Sequence, residues 1–346
     1  MAILDRTSLA GALDRARVPQ IVLSLRRAAS PWLTVLTYHR VGSPEDASPL
    51  DDEVVDVTPR VLERQLRFVK RWFDVVALGD LLAWRRGVAR LPPNPLLVTF
   101  DDGYRDNHDV ALPLLTRVGV PATFFVATDY VERRRLFWWD RIALTLKRAT
   151  RGRAGIEYPE RAELPLGTPA DVRASIRRVQ RMVKDRRGLD VERLMDELER
   201  ACGVTLGASE ERRLADETLM TWEQIAALRR AGMDVQSHTC SHRVLDTLSD
   251  DVLAGELRES RRVLERVMGE PVRALSYPVG RPLTDAPRIK RAVADAGYEL
   301  GFSNGTGVNA TRAFDALDVR RIAMDAGLGD AFFRTMLALP WLAYRT

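Results

Sequence analysis

The feature that most constrains the fold of this 346-residue chain is the regular alternation of short β-rich runs with amphipathic helical segments. Several of these runs are apolar without interruption, which is typical of strands buried on both faces of a parallel sheet. Strand, helix and strand repeated in this way predict βαβ units, and therefore a parallel barrel or a doubly wound sheet. The predicted strands are LTVLTY ending at Tyr38, FDVVA at 73–77, LLVTFD ending at Asp101, PATFFV at 121–126, MDVQSH ending at His238, ALSYP ending at Pro278, YELGFS at 298–303 and DVRRIA at 318–323.

The alternation stops once, between about residues 137 and 218. The first half of this segment is rich in Gly and Pro and is predicted as loop, whereas helices are predicted at 171–186 and 191–202. We therefore divide the chain into an N-terminal helical lead-in (1–32), a first barrel part (33–136), a mainly helical, Arg-rich insertion (137–218) and a second barrel part that ends in a C-terminal helix (219–346).

The positive charge of the chain is concentrated between residues 133 and 200, a stretch that includes most of the insertion. Residues 133–200 contain 16 Arg and 2 Lys against 11 Asp and Glu, a surplus of seven positive charges, whereas the whole chain has a net charge of +5. Aromatic residues are scarce in this segment after Trp139, so it offers no platform for stacking bases and no nucleic-acid partner is expected. We interpret the arginines first as a solvated helical face and second as a patch for an anionic membrane or lipid carrier.

Composition and the two chain ends exclude several classes of protein. A chain with 46% hydrophobic and 29% charged residues is globular, and two cysteines are too few for a disulfide framework. Charged residues interrupt every apolar run of the first 20 residues, and no run reaches the roughly 18 apolar residues of a membrane span. The sequence predicts a cytoplasmic protein, at most peripheral to the inner membrane. We expect 331–344 to pack on the core as a helix rather than to lie in a membrane surface.

The strongest local motif is Thr99-Phe100-Asp101-Asp102-Gly103-Tyr104, at the end of a predicted strand. The carboxyl ends of the strands form the active face of parallel α/β barrels, so two adjacent carboxylates there indicate a chemical role. Adjacent residues point in different directions, and one carboxylate could bind a metal ion while the other transfers a proton. The alternative is a simple Asp-Asp-Gly turn.

The second motif, His238-Thr239-Cys240-Ser241-His242, also follows a predicted strand. Two imidazoles four residues apart and one carboxylate can form a metal site with positions left open for water and substrate. The Glu that follows the first His of the zincin motif is missing, so the base must come from elsewhere, and Asp101 is available. Cys240 is an alternative soft ligand, although a buried thiol is the simpler interpretation.

A third motif, Ser276-Tyr277-Pro278-Val279-Gly280, ends in turn-forming residues whose N–H groups could serve an oxyanion. In this order, the three motifs resemble those of polysaccharide deacetylases of the nodulation-protein type, carbohydrate esterase family 4. The resemblance extends from about residue 33 to residue 323 and is interrupted by an unusual insertion. It implies a distorted (β/α)7 barrel and metal-dependent N-deacetylation of N-acetylated sugars.

The resemblance also implies roles for individual residues. Asp102, His238 and His242 would bind one divalent ion, Zn²⁺ in first place, with Co²⁺, Ni²⁺ or Mn²⁺ as alternatives. Asp101 would be the general base, and the backbone N–H of Val279 would bind the oxyanion of the tetrahedral intermediate.

One departure from the family concerns the general acid. The family commonly takes it from a His in a C-terminal Leu-x-His motif, and no His follows His242. His39 ends the first predicted strand and would open onto the face of the metal site, as in a branch of the family that acts on poly-N-acetylglucosamine. We therefore predict His39 as the general acid, with a structural His bonded to a loop carbonyl as the alternative. His108 is expected on a helix surface.

Two further departures concern substrate binding and the orientation of the base. Ser276 and Val279 stand where the family usually has an Arg and an aromatic residue. Trp138 and Trp139 are predicted either to stack on sugar rings or to anchor the insertion, and Asp140 or Arg141 to orient Asp101. Tyr104 and Tyr277 are further candidates for substrate contact.

These residues favour a metal-dependent hydrolase that removes N-acetyl groups from an N-acetylhexosamine-containing glycan, either a polymer, an oligosaccharide or a lipid-linked precursor. An amidohydrolase acting on a smaller amide or glycolipid is the first alternative, because the same groups would serve any amide. A glycan-binding module with impaired catalysis is the second.

Overall fold

The computed structural model of the protein describes residues 6–26, 32–43 and 48–342. Parts of the predicted lead-in (1–5 and 27–31) and the end of the predicted C-terminal helix (343–346) lie outside the described residues. The strands are β1 Trp32–Tyr38, β2 Arg40–Val41, β3 Val55–Val57, β4 Asp74–Val75, β5 Pro95–Phe100, β6 Thr123–Val126, β7 Arg153–Ile156, β8 Ala162–Pro165, β9 Asp234–Ser237, β10 Ala274–Ser276, β11 Leu300–Ser303, β12 Asn309–Ala310, β13 Val319–Arg320 and β14 Ile322–Ala323.

Eight strand segments form a nearly closed parallel sheet in the order β14, β1, β5, β6, β9, β10, β11 and β13. Only Arg321 separates β13 from β14. Because β13 pairs with β11 and β14 pairs with β1, this interrupted strand closes the ring. Counted as one strand, it gives a barrel of seven, and the predicted distorted (β/α)7 barrel is confirmed. All eight predicted strand runs contain a strand, although β4 lies outside the ring, beside β5.

Helices follow most strands and cover the outside of the barrel. Their N-terminal signals are those expected from the sequence: Thr58 caps the helix that begins at Pro59, and Thr221 forms a capping box with Gln224. The helices are α1 Arg6–Arg15, α2 Val18–Arg26, α3 Pro59–Trp72, α4 Leu78–Arg85, α5 Leu112–Val118, α6 Thr128–Arg133, α7 Trp138–Lys147, α8 Pro169–Asp185, α9 Val191–Cys202, α10 Ala208–Thr218, α11 Trp222–Arg230, α12 Asp250–Met268, α13 Pro287–Asp295 and α14 Asp330–Ala338.

Residues 137–218, which we call the insertion, lie between α6 and α11 and comprise α7, β7, β8, α8, α9 and α10. Leu144, Leu164, Val179 and Leu198 are almost completely buried in a hydrophobic cluster that the insertion shares with the mouth of the barrel. The predicted loop in its first half is wrong: β7 and β8 form an antiparallel hairpin. Their side chains alternate between exposed and buried, which is the pattern of a strand with one covered face.

Many arginines of the insertion pair with acidic side chains at its surface. These pairs include Arg148–Glu210, Arg153–Glu163, Arg161–Glu157, Arg177–Glu53 and Arg186–Glu160. Many of these arginines therefore have a local partner, although several of the acids already count in the net surplus of residues 133–200.

The two described chain ends pack on each other. Arg26 on α2 donates a hydrogen bond to the carbonyl of Leu337, and Arg334 on α14 pairs with Asp14. Phe333 and Met336 are buried in the barrel cluster, as expected for a C-terminal helix that packs on the core. Among the described residues, no helix combines the length and apolar character that a membrane crossing requires.

Candidate active site

The loops that follow β5 and β9 bring a carboxylate and two imidazoles together at the mouth of the barrel. Asp102 Oδ1 lies 3.3 Å from Nε2 of His238 and 3.4 Å from Nε2 of His242. All three side chains are buried, and their candidate ligand atoms lie within 4.8 Å of one another. The two motifs, 136 residues apart in sequence, thus form one cluster at the carboxyl ends of two parallel strands, β5 and β9, that lie on either side of β6.

Backbone strain is concentrated in the loops that follow β5, β9 and β10. Of the six non-glycine residues with positive φ among the described residues, four lie here: Asp102 (77°), Thr239 (64°), His242 (52°) and Val279 (64°). Each such conformation costs on the order of 1–3 kcal/mol and persists only where the surroundings fix it. Thr239 and Val279, the latter at the turn after β10, are the least expected of the four, since a β-branched side chain disfavours positive φ.

The three side chains fit a divalent cation. Asp102 Oδ1 is buried without a hydrogen-bond partner among the described residues, a costly state that a cation would remove. Ligand bonds of about 2.0–2.1 Å in tetrahedral geometry place two ligand atoms roughly 3.3 Å apart, close to the two measured separations. His238 Nδ1 lies 2.8 Å from the carbonyl oxygen of Ser276, which leaves Nε2 for a metal ion. Burial, aided by the neighbouring His238, lowers the pKa of His242 to about 3, so its ring is neutral as a ligand must be.

The second carboxylate, Asp101, does not share this role. Its two oxygens accept hydrogen bonds from Arg321 at 2.8 and 2.7 Å, and Ser276 Oγ lies 3.0 Å from Oδ2. Arg321 is completely buried between β13 and β14. Burial opposes ionisation of Asp101, but the Arg321 guanidinium outweighs it and holds the pKa of this carboxyl well below its usual range. Asp101 is therefore an oriented, ionised carboxylate beside the cation site.

Arg321 was not predicted from the sequence, and the prediction that Asp140 or Arg141 orients Asp101 is wrong. Asp140 accepts hydrogen bonds from Tyr104 and from the backbone of Asp51, and Arg141 pairs with Glu192 and Glu199. A signal for Arg321 existed in the predicted strand DVRRIA. An arginine inside a barrel strand is costly unless a carboxylate compensates it, and Asp101 ends a strand of the same barrel.

His39 lies at the same mouth, directly after β1. Its Nδ1 is 3.0 Å from Asp56 Oδ2, and a quarter of its side chain is exposed. Burial disfavours the charged ring, but Asp56 outweighs this and raises the pKa of His39 to about 9. The imidazole is therefore protonated at neutral pH. With Nδ1 engaged, Nε2 is free to donate a proton.

A cavity of about 240 Å³ opens above these groups. It brings together His39, Asp101, Asp102, His238, His242, Val279, Tyr277, Trp138 and Trp139, all of them predicted site residues. Tyr277 lines the cavity without offering it a free hydroxyl, because that hydroxyl donates to the carbonyl of Leu317. Asp51, Val54, Gln180, Lys184 and Asn304 also line the cavity, and none of these five was predicted.

Tyr104 is the predicted substrate contact that does not reach the cavity. Its side chain is completely buried, donates to Asp140 and accepts from Trp139 Nε1 at 2.7 Å. Trp139 packs against His242 with ring centroids 4.5 Å apart, and Trp138 Nε1 donates to the carbonyl of His242. The two tryptophans thus attach the insertion to the second metal-ligand loop while forming part of the cavity wall.

Two residues considered as alternatives lie outside this arrangement. The Cys240 thiol contacts the carbonyl of Glu256, and burial raises its pKa to about 12, so it is a buried thiol rather than a ligand. His108 lies on the outside of the barrel, paired with Asp109.

Comparison with known proteins agrees with this geometry. A family profile for polysaccharide deacetylases matches residues 89–301. The Bacillus subtilis (strain 168) protein YxkH, whose name places it among polysaccharide deacetylases, is 25% identical over 114 residues, which are 33% of this chain. The chain spans 39% of the length of this curated relative.

Two solved structures share the fold. The Streptococcus pyogenes deacetylase PplD, in complex with acetate, superposes with a TM-score of 0.56 at 17% identity, over 91% of this chain and 99% of its own. IcaB from Ammonifex degensii superposes with a TM-score of 0.54 at 18% identity, over the same shares of the two chains.

Proposed function

The chain belongs to the polysaccharide deacetylase family, and from this premise we propose that it is a metal-dependent hydrolase that removes N-acetyl groups from an N-acetylhexosamine-containing glycan. One observation carries the proposal. The cluster of Asp102, His238 and His242 shares a cavity with a second carboxylate, Asp101, that a buried arginine holds ionised.

Asp102, His238 and His242 would hold the cation, Zn²⁺ in first place, with Co²⁺, Ni²⁺ or Mn²⁺ as alternatives. When bound, such an ion polarises the amide carbonyl and acidifies water. Asp101 then accepts the proton of the water that attacks the carbonyl carbon, and its two bonds to Arg321 keep the carboxylate ionised and oriented. The N–H of Val279 donates to the oxyanion of the tetrahedral intermediate.

His39 completes the reaction by donating a proton to the amine nitrogen as the C–N bond breaks, which leaves acetate and a free amino sugar. Its pKa of about 9 keeps the ring protonated at neutral pH, and Asp56 fixes its orientation. This pair replaces the missing C-terminal His. It also argues against a binding module with impaired catalysis, because neither a base held by arginine nor an acid held by a carboxylate is needed for binding alone.

The size of the cavity suits a single sugar ring. At about 240 Å³ it is smaller than the roughly 300–1,000 Å³ of pockets for drug-sized ligands. It suits one N-acetylated ring bounded by Trp138 and Trp139, which form part of the cavity wall. Because the cavity has an open mouth, the remainder of a glycan can extend outward.

Metal analysis and acetate release test the proposal together. The purified protein should contain about one divalent ion per chain, which is lost in His238→Ala and in His242→Ala. Cys240→Ala, between the two ligands in sequence, is the matched control and should retain the ion. Acetate release is measured on chito-oligomers, peptidoglycan fragments and lipid-linked N-acetylated glycans with Zn²⁺, Co²⁺, Ni²⁺ or Mn²⁺ added. Full metal content in both His variants, or no acetate from any of these substrates, contradicts the proposal.

A further inference from the structure

The insertion contributes directly to the wall of the active-site cavity. Gln180 and Lys184, both on α8, line the same cavity as Asp102 and His238. They are four residues apart and therefore share one face of the helix. The neighbouring residues Val179 and Val183 are buried in the cluster of the insertion. The insertion thus presents a polar face of α8 to the metal site.

Gln180 is already engaged by the protein. Its amide nitrogen donates to Asp51 Oδ2 at 2.6 Å, and Asp51 Oδ1 accepts from the backbone N–H of Glu53. Asp51 therefore has partners on both oxygens. The interaction fixes α8 against the chain that follows β2 and makes this part of the wall a defined surface.

Lys184 differs from Gln180 because its ammonium group has no such partner. The side chain is half-buried, and no carboxylate oxygen of the described residues lies within 4 Å of its Nζ. Of the adjacent acids, Asp185 pairs with Arg281 and Glu53 with Arg177, whereas Asp51 bonds the neutral amide of Gln180. Burial lowers the pKa of Lys184, as expected for an ammonium that is partly removed from water without an ion pair.

Asp51, Glu53 and Asp185 attract the Lys184 ammonium only from beyond ion-pair distance, and an anion on a ligand in direct contact would offset more of the cost of its partial burial. We propose that Lys184 binds an anionic group, a carboxylate or a phosphate, carried by the sugar ring that is deacetylated, so that the insertion selects anionic N-acetylated glycans. This inference rests on the proposed function and specifies its substrate class. The small cavity requires the anion to lie on that ring or at its glycosidic oxygen.

The test compares neutral and anionic probes that share one N-acetylated ring. The probes are N-acetylglucosamine, N-acetylglucosamine 1-phosphate and N-acetylmuramic acid. Binding is measured by calorimetry on the metal-loaded Asp101→Asn protein, and acetate release on the protein with Asp101 intact. In each background Lys184→Gln removes the charge, Lys184→Arg keeps it, and Arg173→Gln removes an exposed charge from the same helix as the matched control.

We expect at least one anionic probe to bind about tenfold more tightly than the neutral sugar, as for a hydrogen bond to a charged group. Lys184→Gln should abolish this preference by weakening the binding of the anionic probes more than that of the neutral sugar. Lys184→Arg should restore most of it, and Arg173→Gln should have no effect. A preference for the 1-phosphate alone identifies a glycosyl phosphate as the source, and a preference for the muramic acid alone identifies an acidic sugar.

Three results would overturn the inference. The first is equal binding of neutral and anionic probes. The second is an anion preference that survives Lys184→Gln, which would assign it to the metal ion or to His39. The third is an equal loss of affinity for all probes in Lys184→Gln. Failure of the proposed function is distinguishable, because charge-dependent binding would then persist while no probe releases acetate.

Discussion

The barrel and the insertion use charged side chains in opposite ways. At the mouth of the barrel, Asp101, Asp102, His238 and Arg321 are each at most 2% exposed, with Arg321 bonded to Asp101 and His238 at 3.3 Å from Asp102. On the insertion, arginines such as Arg148 and Arg153 are exposed in part and pair with glutamates at the surface. Buried charges require partners of defined geometry, whereas exposed pairs contribute little. The many arginines of the insertion are therefore less informative than four buried groups in the barrel.

The largest expected effect on stability is that of Arg321→Met. It leaves the Asp101 carboxylate buried without its cation, and breaking a buried pair in this way costs about 3–5 kcal/mol of the free energy of unfolding. Urea denaturation at pH 7 measures the loss. Arg321→Lys should lose less, because it keeps the charge but not the two-pronged geometry.

The same variant carries a pH signature. The pKa of Asp101 is depressed in the folded protein, so its contribution to stability is present above the unfolded value of about 3.9 and is lost as the pH falls through the folded value. In Arg321→Met the folded pKa should rise, and the difference from the unaltered protein should shrink in acid. A loss of less than 1 kcal/mol at pH 7 would show that the buried barrel charges behave like those of the insertion.

The next effect concerns His39. Replacement by Gln should reduce acetate release by about 10²- to 10⁴-fold, the usual contribution of a general acid, without loss of metal. With a folded pKa of about 9, the acid form is lost as the pH rises through 9, so the rate should fall there. The contribution of the His39–Asp56 pair to the free energy of unfolding should be fully present below the unfolded pKa of about 6.5. It should be lost as the pH rises from there through the folded pKa of about 9.

Asp56→Asn separates a catalytic from a structural His39. Removing the carboxylate should lower the pKa of His39 and move the alkaline limit of the rate to lower pH. Unchanged activity in His39→Gln, or an alkaline limit that does not move in Asp56→Asn, would assign the proton donor elsewhere.

The smallest expected effect is on the insertion. Arg148→Gln breaks a partly exposed pair with Glu210 and should change the free energy of unfolding by about 0–1 kcal/mol, with a smaller change at high salt. Acetate release should be unaffected. Thermal unfolding at low salt and at 1 M salt measures the change in stability. A loss of stability comparable to that of Arg321→Met would remove the contrast between the two regions.

The groups that could be found from the sequence lie in short motifs that directly follow predicted strands. Asp101–Asp102 and His238–His242 follow strands, and the carboxyl ends of parallel strands meet at one edge, so their convergence could be predicted. His39 was found for the same reason.

The residues that were missed depend on long-range packing. Arg321 reaches Asp101 only because the strand that ends the barrel closes against the first. Gln180 and Lys184 reach the cavity because α8 folds back over the barrel mouth. The packing of α8 leaves no local pattern, and that of Arg321 leaves only an arginine inside a predicted strand. Tyr104 was predicted as a substrate contact because it belongs to the first motif. Its ring is instead buried in the hydrophobic cluster that the insertion shares with the mouth of the barrel.

The central claim is that Asp101 and Asp102, adjacent in sequence, have different roles. The most direct test measures metal content and acetate release side by side in Asp101→Asn and Asp102→Asn, with folding checked by Tm. Asp101→Asn should retain about one ion per chain while acetate release falls by about 10²- to 10⁴-fold, whereas Asp102→Asn should lose both. Loss of the metal from Asp101→Asn, or activity within about twofold of the unaltered protein in either variant, would contradict this division of roles.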